Sequence, residues 1–111
     1  MSTVSENEVK ATALFEELGK LTPEAIRDRV KAAGIVGERG NTTKCPLALL
    51  VRKELGLAVT IGGSYWSFPY GDGATHTLPE SCQAFIRRVD DRDPAFDSVA
   101  VDAPEYEPYP Y

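Results

Sequence analysis

Leu57-Ala58-Val59-Thr60-Ile61-Gly62-Gly63-Ser64-Tyr65-Trp66-Ser67-Phe68 is the stretch on which the fold turns. Two runs rich in β-branched and aromatic residues flank a Gly-Gly pair, the pattern of a tight two-residue hairpin. A hairpin joins antiparallel strands, whereas parallel strands need a crossover of a dozen residues or more. The stretch therefore predicts a small antiparallel sheet and argues against a doubly wound parallel one. Strand alternation puts Tyr65 and Ser67 on one face and Trp66 and Phe68 on the other, and one of these sets must be core. Pro69-Tyr70-Gly71-Asp72-Gly73 reads as a further turn, and Thr75-His76-Thr77-Leu78 as a short third strand.

Working outward toward the C-terminus, Pro79-Glu80 opens a helix with Cys82, Phe85, Ile86 and Val89 on one face. Asp90-Asp91-Arg92-Asp93-Pro94 ends it. Phe96, Val99 and Val101 are apolar enough to fold back onto the body. Toward the N-terminus, residues 8–20 read as a helix through Val9, Ala13, Leu14, Leu18 and Leu21. Thr22 is a good N-cap for a second helix, with Pro23 at its first position, Ala25, Ile26, Val30 and Ala33 on its apolar side and Gly34 as the stop. Residues 37–44 are loop by composition. Cys45-Pro46 opens a third helix over 46–55, and Gly56 fits its C-terminal cap. The order is α+β: three N-terminal helices, an antiparallel hairpin or three-stranded sheet, then a C-terminal helix and an irregular acidic tail.

The chain has 111 residues, enough for one core of ordinary size. We expect a single domain over residues 1–101, with 1–7 frayed, and a tail over 102–111 holding three prolines, three tyrosines and three acids. At 42% hydrophobic and 26% charged residues, the composition excludes collagen, a wholly disordered chain and a membrane protein. The net charge of −5 argues against a generic duplex DNA binder. It is concentrated at one end. Residues 90–111 hold seven acids and one base, whereas residues 1–89 are nearly balanced. The first eight residues have neither the basic nor the apolar segment of a secretory signal, and two cysteines are too few for a disulfide scaffold. The expected location is the cytoplasm, with both thiols free.

Cys45-Pro46-Leu47-Ala48, the valine-containing Ala58-Val59-Thr60-Ile61, and Leu78-Pro79 followed by Phe85-Ile86 give the middle of the chain a recognisable pattern. Over residues 23–97 it resembles a group of small proteins of actinobacteria and their phages with a Cys-Pro-Leu-Ala helix start and a Leu-Pro helix start. In that group a tyrosine often follows the Cys-Pro-Leu-Ala step by one residue, whereas this chain has Leu49-Leu50. The resemblance implies a cytoplasmic actinobacterial or phage setting and no chemistry.

Several residue sets could carry function. Cys45 sits at a helix N-terminus beside Lys44, where the macrodipole and a positive charge favour a thiolate. His76, the only histidine, could serve as its base. The competing reading makes Cys45 a small buried residue and His76 a hydrogen-bonded strand residue. Cys45, Cys82 and His76 supply at most three metal ligands without a CxxC pair, so neither metal nor cofactor is expected. Arg39, Lys44, Arg52, Lys53, Arg87 and Arg88 could form a patch for phosphates or an acidic partner, or simply a solvated face. The Gly37-to-Lys44 loop lacks the GxxxxGK[ST] pattern of a Walker loop.

Tyr65 and Tyr70 are harder to bury than Trp66 and Phe68, and exposed aromatics are typical of protein-binding hot spots. Tyr106, Tyr109 and Tyr111 lie on an acidic, proline-rich segment that favours an extended polyproline-like form. Such a peptide could dock in a basic groove or only aid solubility. These residues point first to a small accessory protein that is not an enzyme and binds a protein partner through Tyr65, Tyr70, Tyr106, Tyr109 and Tyr111. The alternative is a nucleic-acid-associated regulator using the basic helices, with the tail as competitor. A Cys/His thiol enzyme comes last, and no membrane partner is expected.

Overall fold

The computed structural model describes residues 6–69 and 75–102. Its elements are helices α1 (Glu6–Gly19), α2 (Pro23–Ala32), α3 (Pro46–Leu55) and α4 (Glu80–Asp90) and a 3-10 helix (Pro94–Val99). The strands are β1 (Gly37–Arg39), β2 (Thr60–Ile61), β3 (Tyr65–Ser67), β4 (Thr75–Thr77) and β5 (Ala100–Asp102). This is an α+β fold with an antiparallel sheet in the order β2-β3-β4. No helix among the described residues is long and apolar enough to cross a membrane.

The helix boundaries follow local chemistry. The Thr22 hydroxyl accepts the Ala25 amide at 3.1 Å, closing the first turn of α2, and Pro23 occupies a position that has no amide to lose. Gly56 ends α3 in the left-handed region and donates its amide to the Arg52 carbonyl. Asp93 caps the 3-10 helix by accepting the Ala95 amide at 3.0 Å. Pro79 stands at the entry of α4.

Packing decides which apolar residues become core. Ala11, Leu14, Phe15 and Leu18 form the buried stripe of α1. That stripe differs in phase from the expected one: Val9 is 63% exposed and Ala13 is also exposed. The face containing Phe15 wins because its ring buries the most surface, stacking on Trp66 at 5.0 Å. Phe85 and Phe96 meet edge-to-face at 5.7 Å, joining α4 to the 3-10 helix. Phe96 and Val99 fold back as expected and are fully buried, but Val101 does not and is 51% exposed.

A second departure lies in residues 37–44. Gly37, Glu38 and Arg39 form β1, which pairs in parallel with Ala100, Val101 and Asp102 of β5. Asp102, first residue of the expected tail, is therefore in a strand. Gly37 is required here: a Cβ would meet the Pro46 nitrogen at 2.4 Å, so only glycine lets the start of α3 approach. Arg39 holds the pair together. Its Nε donates to the Val89 carbonyl at 3.0 Å, and its two terminal nitrogens reach Asp97 and Asp102 at 2.8 and 3.1 Å.

Candidate functional site

The antiparallel sheet has two chemically different faces. The register pairs Ile61 with Trp66 and Trp66 with His76. Of these, Trp66 and His76 meet α1, through Phe15 and Glu8. Trp66 is 2% exposed and lies between Phe15 and His76, the imidazole stacking on the indole at 4.3 Å and 19°. Directly opposed cross-strand residues are close enough for such stacking. Phe68 meets Trp66 edge-on at 5.5 Å and is partly buried against the core.

The other face carries hydroxyls. Thr60 pairs with Ser67, Ser67 with Thr75, and Tyr65 with Thr77, so these five side chains lie on one side of the sheet. Tyr65 is 39% exposed. Its ring rests on Gly62, where a Cβ would come within 2.2 Å of a ring carbon. The hairpin glycine thus serves the tyrosine as well as the turn. The result is an exposed aromatic ring braced against backbone, at the hairpin end of a polar platform.

Beside the platform, α1 and β4 bound a cleft of about 260 Å³. Phe15, Trp66 and Pro79 form its apolar wall, and Thr12, Glu16, His76 and Thr77 supply polar groups. His76 Nε2 is 2.8 Å from a Glu8 carboxylate oxygen. Glu8, Thr12 and Glu16 recur at four-residue spacing, one turn apart on α1, which is why a single helix face lines the cleft. Thr77 belongs to both the cleft and the platform, so the two are continuous.

The remaining candidates are dispersed. Tyr70, Tyr106, Tyr109 and Tyr111 lie outside the described residues. Cys45 is buried, and burial pushes its thiol up to about 11, against the macrodipole effect that the sequence suggested. Cys45 lines a separate small cavity with Asn41, Ile61 and Asp90, while His76 is committed to Trp66 and Glu8. The pairing of Cys45 with His76 is therefore not assembled. Cys82 is a free thiol buried in α4 and pushed up to about 12 by the same cause.

The basic set is divided as well. Arg39 is occupied by Asp97, Asp102 and the Val89 carbonyl. Arg88 is held by Glu24 at 2.6 Å and Asp93 at 2.9 Å, with its guanidinium 4.5 Å from the Phe96 ring centroid. Lys53 donates to the Ala33 carbonyl at 2.7 Å, which caps the end of α2. Lys44, Arg52 and Arg87 stay exposed without an acidic partner among the described residues.

Glu8, Thr12, Glu16 and Thr77 were not legible as site residues. The four-residue spacing on α1 was visible, but nothing in it indicated that β4, some sixty residues later, would lie opposite. No protein-family model, curated protein or solved structure matches the chain.

Proposed function

We propose that the chain is a small cytoplasmic accessory protein, without enzymatic activity, that binds a protein partner through the Tyr65 face of its antiparallel sheet. The observation that carries this reading is the braced Tyr65 ring, exposed on the sheet face that also carries Thr60, Ser67, Thr75 and Thr77. An aromatic side chain already held in place loses little conformational freedom on binding, and Tyr offers both apolar area and a hydroxyl. The surrounding hydroxyls can act as donors or acceptors. Tyr70, Tyr106, Tyr109 and Tyr111, which lie outside the described residues, are the further aromatic contacts that this reading assigns to the partner. The Cys-Pro-Leu-Ala and Leu-Pro pattern supports an actinobacterial or phage setting.

The competing readings have less support. Two of the six basic residues nominated for a phosphate or acidic-partner patch are occupied by internal acids. The one nucleophile nominated for thiol chemistry is buried and held protonated.

The test is capture from nuclease-treated actinobacterial lysate with immobilised full-length chain, Tyr65→Ala and a 1–102 truncation, which keeps β5 whole, side by side. Tyr65→Ala should lose the specific protein while keeping its unfolding midpoint, because a ring this exposed contributes little to the core. The truncation should weaken capture. An identical captured set for all three proteins would overturn the proposal.

A further inference from the structure

We infer that the α1–β4 cleft receives a cationic side chain of the protein partner. The inference rests on the docking role of the Tyr65 face and names the chemistry of what docks there. Three features converge on it. The first is shape. A cleft of about 260 Å³ is too small for a folded element but large enough for one long side chain, and Thr77 joins it to the platform that carries Tyr65.

The second is the distribution of polarity. Phe15, Trp66 and Pro79 offer an apolar wall, and Glu16 a carboxylate. A lysine or arginine has the matching division, with an aliphatic stem that packs against apolar surface and a charged head that stays at the polar edge. The third is charge. No Lys or Arg lines the cleft, whereas Glu16 lines it and Glu8 stands against its histidine. Glu16 is exposed and forms no ion pair among the described residues, Lys20 one turn further along included. The Thr12 hydroxyl adds an acceptor for a guanidinium, which presents five N–H donors. An anionic side chain would meet the Glu16 carboxylate.

The occupied imidazole has a consistent place in this arrangement. His76 is fixed by stacking on Trp66 and by its contact with Glu8, so it forms a stationary wall and not a mobile base.

The experiment is a titration followed by amide chemical shifts of the isotopically labelled full-length chain. The probes are blocked Gly-Arg-Gly, Gly-norleucine-Gly and Gly-Glu-Gly tripeptides. The arginine peptide should shift the amides of Thr12, Glu16 and Thr77 saturably. Glu16→Gln should weaken that response about two- to fivefold, the size expected of one exposed ion pair. Tyr65→Ala should leave it in place. Equal responses to norleucine or glutamate, an unchanged response in Glu16→Gln, or no local response to any peptide would each overturn the inference. The spectrum itself reports whether each variant is folded. Partner capture and peptide titration fail separately: capture that depends on Tyr65 with a silent titration removes the cleft and leaves the platform. A normal titration with capture indifferent to Tyr65 does the reverse.

Discussion

Truncating Phe96 tests how the region after α4 is held. Phe96 is fully buried, packs edge-to-face on Phe85 at 5.7 Å, and lies under the guanidinium of Arg88 at 4.5 Å and that of Arg27 at 5.4 Å. Phe→Ala in a core costs about 3–5 kcal/mol through lost transfer energy and the cavity left behind. Each partly exposed cation–π contact adds on the order of 0.5–1 kcal/mol. A domain of this size has roughly 5–15 kcal/mol in total, so Phe96→Ala should remove a large share of it. Val101, two residues beyond Val99 and 51% exposed, should tolerate Ala with a change within about 0.5 kcal/mol. The assay is urea denaturation followed by far-UV circular dichroism and tryptophan fluorescence, with both midpoint and slope recorded. Phe96→Ala should shift the midpoint strongly at similar slope, and Val101→Ala should superimpose on the parent. A loss below about 1 kcal/mol for Phe96→Ala, or comparable losses for the two, would refute the reasoning that Phe96, and not Val101, anchors this segment.

Two further outcomes follow from titration behaviour. Burial raises Cys45 from 9.0 to about 11 and Cys82 to about 12, so neither thiol should react appreciably with an aromatic disulfide reagent at pH 8 until the chain unfolds. The same shifts mean that the thiols' contribution to stability is complete below pH 9 and declines as pH rises toward 11. Rapid labelling of the native chain at pH 8 would contradict the buried placement. At the acid end, the hydrogen bond from Arg88 lowers Glu24 from its ordinary 4.5, and the hydrogen bonds from the Ala95 amide and Arg88 lower Asp93 from 3.8. Groups lowered in the folded state stabilise it above their unfolded values and lose that contribution as pH falls through the folded ones. Stability measured by urea midpoints should therefore drop below pH 4.5, and Arg88→Gln should flatten that drop. An identical acid slope in the variant would exclude Arg88 as its source.

Local chemistry determined much of the secondary structure in advance. Thr22-Pro23 at the start of α2, Gly56 after α3 and Pro79 before α4 act on their own backbone within one turn, so their effects can be read without knowing what lies nearby. The hairpin is equally local, although its register centres the turn on Gly63-Ser64, with Gly62 paired to Tyr65, and not on Gly62-Gly63 as expected; period-two alternation correctly separated Trp66 from Tyr65. What tertiary structure alone decided is every assignment that depends on a distant partner. Val9 and Phe15 both fit a helical apolar pattern, and the Trp66 ring selected between them. Gly37-Glu38-Arg39 has no β-forming character of its own. It becomes a strand because Arg39 finds acceptors at Val89, Asp97 and Asp102, and because Gly37 admits Pro46. Cys45 looked activated by its helix end, but desolvation by the surrounding core outweighs a partial charge at the terminus. The cleft between α1 and β4 belongs to the same class. Its residues are ordinary in sequence, and only the packing of a helix face against a strand tens of residues away sets a carboxylate, a hydroxyl and an aromatic wall around one space.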